Sequence, residues 1–264
     1  MSGCRFSLVV TIMNYIFYNT MSYELQTQKE AVGYNKSTAE KYTAGQEQFF
    51  GAEKVDDGAT LAMEAEIAKV RETHPIETLY DLGAGSNRDY LRKWLKVSGA
   101  SAVIGVEPSA HMRELSEKTK NESESITVVE GDWRKTGLSD ASADMVVSRF
   151  SLHHLRDIRE GYVELARILK PGGYAVISLP HPDYCREELK KKNEEAVDGK
   201  PMSVQVFDTT LHYYYHDDAA YLGGNATLAG LEVVETKSFN WGTKDPAAAT
   251  TPNTLLFVLK KKAE

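Results

Sequence analysis

The sequence predicts an α/β fold, a parallel sheet with helices on both faces, from three observations. Short apolar runs alternate with helical stretches between Thr78 and Leu179. A glycine-bearing turn, Gly83-Ala84-Gly85, follows the first run, and acids stand at the ends of the first three. The alternation is what consecutive strand–helix units produce when crossover helices cover a buried sheet.

The runs expected as strands are Thr78–Leu82, Ala102–Val106, Ile126–Val129, Met145–Val147 and Tyr174–Leu179. Helical stretches occupy Arg88–Val97, Ala110–Lys120 and Arg156–Leu169 between them. In the last, Tyr162, Leu165, Ala166 and Leu169 share one face, and Pro171-Gly172-Gly173 is expected to stop it. Upstream, residues 22–74 read as a polar helical cap, with apolar groups at helical spacing from Ala62 to Val70 and Pro75 closing it. Downstream, Pro180-His181-Pro182 ends the fifth strand. Residues 183–215 are charged, aromatic and irregular, too long for a simple connection, and read as a substrate-facing, lid-like insertion. A surface loop is the plainer alternative. A helix over Asp217–Leu228, then Leu231–Lys237 and Thr254–Leu259, would complete the sheet with an antiparallel pair.

With 264 residues, 42% of them hydrophobic, the chain can bury one sizeable core. Residues 22–264 are read as a single domain behind a non-core extension, 1–21. The apolar stretch Phe6–Tyr18 is shorter than the roughly 20 residues of a membrane span and is interrupted by Asn14, so no stable membrane insertion is expected. A targeting or anchoring segment is the alternative there. A net charge of -7 disfavours nucleic acid as a partner. The basic runs Lys190–Lys192 and Lys260–Lys262 read as solvated faces. The two cysteines, Cys4 and Cys185, form no CxxC pair, which leaves neither a disulfide framework nor a zinc site and fits a cytoplasmic location.

Ligands of open α/β sheets sit at the carboxyl ends of the strands. Gly83 and Gly85 fall there, where the absence of a Cβ lets the backbone approach a ligand. Asp81, two residues before the first glycine, is poorly suited to a pyrophosphate but can meet an ammonium group. Glu107, ending the second strand, can accept from ribose hydroxyls. After the third strand, Asp132 and Trp133 place an acceptor beside an aromatic face, which suits an adenine ring. Any one of these acids could be a solvated loop carboxylate. Three at successive strand ends point to one adenosyl ligand.

The ordered segments Asp81-Leu82-Gly83-Ala84-Gly85, Gly105-Val106-Glu107-Pro108, Glu130-Gly131-Asp132-Trp133, Ser148–Leu155 and Arg167–Gly173 resemble the motifs of class I S-adenosylmethionine-dependent methyltransferases. The nearest branch is the small-molecule, ubiquinone-pathway-like group called type 11. The resemblance covers about 78–180, with a looser match over Tyr214–Leu222 and Ala229–Val234. It implies a Rossmann-like, seven-stranded, mostly parallel sheet with an antiparallel last strand, and S-adenosyl-L-methionine as cofactor. It implies that Gly83 and Gly85 pass the methionine part, Glu107 the ribose, and Asp132 with Trp133 the adenine. Arg149 and Phe150 would border the sulfonium, and Tyr34 would fold over the cofactor. Asn87 stands where the family usually has a third glycine, so the turn is expected to be wider or to carry a side-chain hydrogen bond.

The activity implied is in-line methyl transfer to a small molecule. A base is needed only when the acceptor must lose a proton, and His154 and His181 are the candidates. The pair His153-His154 lacks a third ligand at useful spacing, so no metal is expected. Two rival readings are a non-catalytic cofactor-binding member and a nicotinamide-dependent reductase. The second would need glycine at Asn87 and usually an apolar residue at Asp81.

Overall fold

The computed structural model describes residues 34–50, 57–206, 208–222, 224–240 and 252–263. The expected 1–21 extension, residues 22–33 and Phe207 lie outside them. In chain order the elements begin with α1 (Lys36–Phe50), α2 (Gly58–Thr73), β1 (Thr78–Leu82), α3 (Arg88–Ser98), β2 (Ala102–Val106) and α4 (Ala110–Lys118). Then come β3 (Ile126–Val129), β4 (Ala143–Arg149), a 3-10 turn at Leu152–His154, α5 (Ile158–Ile168), β5 (Leu169–Pro180) and α6 (Pro182–Lys191). The chain continues through β6 (Lys200–Val206), β7 (Thr209–Tyr215), α7 (Asp218–Leu222), α8 (Gly224–Leu228), β8 (Leu231–Phe239) and β9 (Thr254–Lys261).

Seven strands form one sheet in the order β3-β2-β1-β4-β5-β9-β8. Strands β1 to β5 pair in parallel, and β9 runs antiparallel to both β5 and β8. The order reverses between β1 and β4, where both crossovers leave the sheet and open a crevice at the strand tips. Helices cover both faces. Met63 and Ile67 of α2 with Leu91 and Trp94 of α3 pack on one side. Tyr162, Leu165 and Ile168 of α5 pack on the other, with Leu152, Trp133 and Phe257. No helix among the described residues is long and apolar enough to cross a membrane.

The expected helix over Asp217–Leu228 is two short helices, α7 and α8, and three further elements differ more from the sequence reading. Strand β4 is longer at both ends than Met145–Val147, because its polar residues find tertiary partners: Asp144 accepts from the Glu77 and Thr78 amides, and Ser148 donates to the Leu82 carbonyl at 2.8 Å. Helix α5 ends at Ile168, not at the glycines. Leu169 is already extended (φ -68°, ψ 137°) and pairs with Ala143, and Pro171-Gly172-Gly173 bulges within β5 before Tyr174 pairs with Met145. Finally, 183–215 is not irregular. Helix α6 is followed by an antiparallel hairpin, β6–β7, that forms a sheet of its own.

One buried cation ties α3 to the entry of β3. Arg88 is 1% exposed; its Nε donates to Glu124 at 2.6 Å and its Nη2 to the Ile126 carbonyl at 2.8 Å. Arg88→Met leaves Glu124 to Arg92 and the Asn121 amide and takes the Arg88 donor from that carbonyl, so a loss of about 3 kcal/mol is expected in chemical denaturation.

Candidate functional site

Beyond the tips of β1, β2 and β4 lies a cleft of about 1020 Å³, part of it open to solvent. The structure brings Tyr34, Asp81, Gly83, Gly85, Glu107, Asp132, Trp133, Arg149, Phe150 and His154 to its wall.

Asp81 sits at the end of β1, 3% exposed. Its Oδ2 accepts from the Trp94 indole at 2.9 Å, while its Oδ1 is buried and has no hydrogen-bond partner among the described residues. Burial pushes this carboxyl up from 3.8 to about 7, against the opposing pull of Trp94 and Arg149. A half-satisfied buried carboxylate is costly unless something completes it.

The turn after β1 hangs on one acceptor: the amides of Gly83 and Ala84 donate to the Val106 carbonyl at 2.8 and 3.1 Å. Gly83 has φ +80°, and a Cβ there would lie 1.9 Å from Ser151 Oγ. Gly85 has φ +65°, but a Cβ would meet nothing within 4 Å, because that position faces the cleft. Its amide donates to Glu107 Oε2 at 2.8 Å, and the Ser109 amide donates to Oε1 at 2.9 Å. Burial raises the Glu107 carboxyl, and these two donors hold it back. Asn87 caps α3 from an ordinary extended backbone (φ -91°), its Oδ1 accepting from the Asp89 amide at 3.0 Å. No glycine is needed there.

Asp132 is more occupied than its sequence context suggests. It accepts from the Arg134 amide at 2.7 Å and from Arg134 Nη2 at 3.0 Å. Trp133 lies beside it, 4% exposed, its indole nitrogen donating to Ser151 Oγ at 3.1 Å. Arg149 is the last residue of β4 rather than one beyond it. Phe150 follows with φ +51°, an uncommon conformation for a bulky residue, held by its amide's bond to the Ser178 carbonyl at 2.8 Å. Tyr34 meets Tyr42 edge-on at 5.6 Å and His154 at 5.9 Å, and burial raises both phenols. Helix α1 is pinned over the turn by a 2.6 Å bond between Thr43 and Ser86 hydroxyls.

The histidines separate. His154 Nδ1 lies 2.9 Å from the His212 carbonyl, so Nδ1 carries the hydrogen and Nε2 the lone pair. Burial lowers its pKa from 6.5 to about 4, leaving it neutral at physiological pH. His153 is buried against Tyr213 and does not line the cleft. His181 does not line it either, which corrects its reading as a base. Its Nδ1 accepts from the Asp183 amide at 3.1 Å as the N-cap of α6, and its Nε2 meets Ser238 Oγ at 3.0 Å. His181→Ala is therefore expected to cost about 1 kcal/mol of stability as a lost cap and to leave ligand affinity in the cleft unchanged. Thermal melts and calorimetry on one preparation check both.

Several wall residues escaped the sequence reading, among them Tyr90, Gln46 and Ser151. Asp57, which holds Arg149, had a visible signature: an acid three residues before Thr60 at the head of an apolar helical run marks an N-cap.

Residues 80–177 match the family model described as "Methyltransferase domain". Over that segment the chain is similar to methyltransferase domains. A demethylmenaquinone methyltransferase of Staphylococcus carnosus is 38% identical over 155 residues, 55% of this chain and 64% of that protein. A malonyl-[acyl-carrier protein] O-methyltransferase of Xylella fastidiosa is 27% identical over 108 residues, 40% of this chain and 35% of that one. The chain spans 32%, 38% and 35% of the length of three curated relatives that it matches. In fold, it resembles a Listeria monocytogenes structure titled as a putative S-adenosylmethionine-dependent methyltransferase. The TM-score is 0.58 at 15% identity, covering 76% of this chain and 99% of that one.

Proposed function

We propose that this methyltransferase domain holds S-adenosylmethionine in the cleft and transfers its methyl group to a small-molecule acceptor. The observation that carries this reading is the buried Oδ1 of Asp81, without a hydrogen-bond partner among the described residues, on the same cleft wall as the open position at Gly85. A sealed acceptor with one lone-pair edge to spare calls for a donor, and an ammonium supplies one with the right charge. The other walls fit the same ligand. Glu107 keeps lone pairs for ribose hydroxyls after its two backbone bonds, and Asp132 with Trp133 offers an acceptor and an indole for adenine. Phe150 and Tyr34 add aromatic surface, which favours a cation nearby.

When bound, the cofactor would supply an activated methyl group on a sulfonium, whose sulfur departs as a neutral thioether that needs no proton. The chain's own task is alignment and exclusion of water, by a rigid turn on one side and α1 on the other. His154, neutral and anchored by the carbonyl of His212 on β7, is a poor proton acceptor at pH 7 and serves better as a wall. We read the β6–β7 hairpin, which supplies that anchor, as the substrate-facing insertion. The acceptor then arrives already nucleophilic or loses its proton to water.

Titration calorimetry with S-adenosylhomocysteine is expected to give a one-to-one complex, and NADH is expected to give no heat. Binding of NADH, or silence with both, would remove the proposal. Labelled methyl transfer into a small-molecule extract then separates a turning-over enzyme from a mere binder.

A further inference from the structure

The β6–β7 hairpin meets the cleft wall along a seam of histidines. His154 Nδ1 donates to the His212 carbonyl at 2.9 Å, and His216 Nε2 donates to the Leu155 carbonyl at 2.7 Å. Between these bonds Tyr213 stands edge-on to the His153 ring at 4.8 Å. His154 and Leu155 both line the cleft, so the hairpin grips that wall directly.

His216 differs from the rest of the seam, because both of its ring nitrogens face acceptors. Its Nδ1 lies 2.9 Å from Asp198 Oδ1, on the other side of the ring from Leu155. A neutral imidazole carries one N–H and one lone pair, so a ring between a carboxylate and a carbonyl satisfies both only with an added proton. The pair therefore binds one proton, on the ring or on the carboxyl, whenever both bonds are made. Asp198 and His216 flank the open end of the hairpin, where the Gly199 amide donates to the Tyr215 carbonyl at 2.8 Å. The His216 ring is fully buried, whereas the Asp198 side chain is half exposed and gives the proton a route to solvent.

The other groups around the ring are accounted for. Asp157, the cap of α5, is held low chiefly by Arg159, which also faces Asp198, and to a smaller extent by His216. His153 is kept neutral by burial, and Tyr221 meets the ring edge-on at 5.4 Å with its phenol raised by burial. Asp217, next along the chain, accepts from the Ala220 amide in α7 at 2.8 Å.

We propose that Asp198 and His216 form a proton-dependent clasp that locks the β6–β7 hairpin onto Leu155, holds His154 in place on the cleft wall, and opens at alkaline pH. The sign follows from the closed form holding the proton, so raising the pH works against it. The one N–H left on the ring then goes to the carboxylate, the stronger acceptor, and the Leu155 carbonyl loses its His216 donor. His216 is thus a positioning residue that acts through Leu155 and His154. The clasp takes its functional meaning from the cofactor reading above and deepens it, by adding control over the wall that the hairpin supports.

Nitrogen-15 spectra of the histidine rings and amide exchange, both on the ligand-free full chain, test this between about pH 5 and 9, a range around the ordinary imidazole titration. At the acid end His216 is expected to show two N–H groups, or one beside a protonated Asp198. As that proton leaves, protection of the His154 and Leu155 amides, which are bonded within their own turn, should fall about tenfold, the scale of one hydrogen bond. Asp198→Asn can donate to a neutral Nδ1 and leave Nε2–H for Leu155, so its protection should stay high at every pH. His216→Phe should give the low level at every pH and let the His154 ring sample both tautomers. A single N–H on His216 beside an ionised Asp198 at pH 5 overturns the proposal, as does protection that ignores pH in the unaltered protein. So does a parental pH dependence in Asp198→Asn, or an unchanged His154 ring in His216→Phe. Should His216→Phe fail to fold, Asp198→Asn, altered at a half-exposed side chain, answers the question alone. No ligand enters these measurements, so silence with S-adenosylhomocysteine strikes the cofactor reading and leaves the clasp standing.

Discussion

Asp81→Asn is expected to abolish measurable binding of S-adenosylhomocysteine and, at the same time, to stabilise the ligand-free protein at pH 8. Both effects come from one carboxylate. In the fold its pKa stands near 7 against 3.8 ordinarily, chiefly because it is buried. A carboxyl whose pKa is raised by folding contributes fully below pH 3.8, and that contribution is lost as pH rises through 7. At about 1.4 kcal/mol per pH unit, the buried charge costs about 4 kcal/mol at pH 8 as an upper bound. Asparagine removes that cost. The gain in melting temperature should be absent near pH 3.8, grow with pH and level off above about pH 7. A gain that does not vary with pH would mean that Asp81 keeps its ordinary proton affinity. The ligand follows the opposite sign: an ammonium favours the ionised form, so affinity should fall about tenfold per pH unit below 7. Binding at pH 7 should release about half a proton, readable from calorimetry in buffers of different ionisation enthalpy.

The second large effect separates two glycines two residues apart. Gly83→Ala drives a Cβ to 1.9 Å from Ser151 Oγ in a left-handed backbone. Strain alone costs about 1–3 kcal/mol, and moving Ser151 breaks the bond that holds the Trp133 indole. A clear drop in melting temperature is expected, with weaker ligand binding as a consequence. Gly85→Ala carries the same backbone strain at φ +65° but meets open space. Its stability loss should be smaller, about 1 kcal/mol, and its affinity loss larger for its size, because the new methyl occupies ligand volume. Melts and calorimetry on the two variants should therefore rank them in opposite orders. Identical ranking by both measures would mean that Gly85 does not border the ligand.

Much of this was legible in the chain. The ends of β1, β2 and β3 stand where apolar runs meet glycine, acid or serine, so local pattern sufficed. Strand β4 is longer than its apolar run because Asp144, a strand breaker by pattern, accepts from a distant amide, and Ser148 donates to a distant carbonyl. The hairpin β6–β7 carried its own alternating signature, with Thr209, Leu211, Tyr213 and Tyr215 buried in turn, but its charged surroundings masked it. At the site, the acids announced themselves by position. Which of their oxygens would be spent was beyond reach, since that depends on Trp94 for Asp81 and on Arg134 for Asp132. His181 misled for the same reason: the side of the strand tip to which its ring turns is decided by Ser238, 57 residues on.

The shared carbonyl of Val106 fixes more than a turn. With Gly83 and Ala84 suspended from it, and Gly85 tied to Glu107, the first two strand tips behave as one stiff bracket whose span is set before any guest arrives. A guest bridging Asp81 and Glu107 need not freeze that backbone, so the entropic charge on association falls on its own torsions and on side chains at the rim. Amide exchange across residues 83–85 should then be slow in the empty protein and change little on saturation.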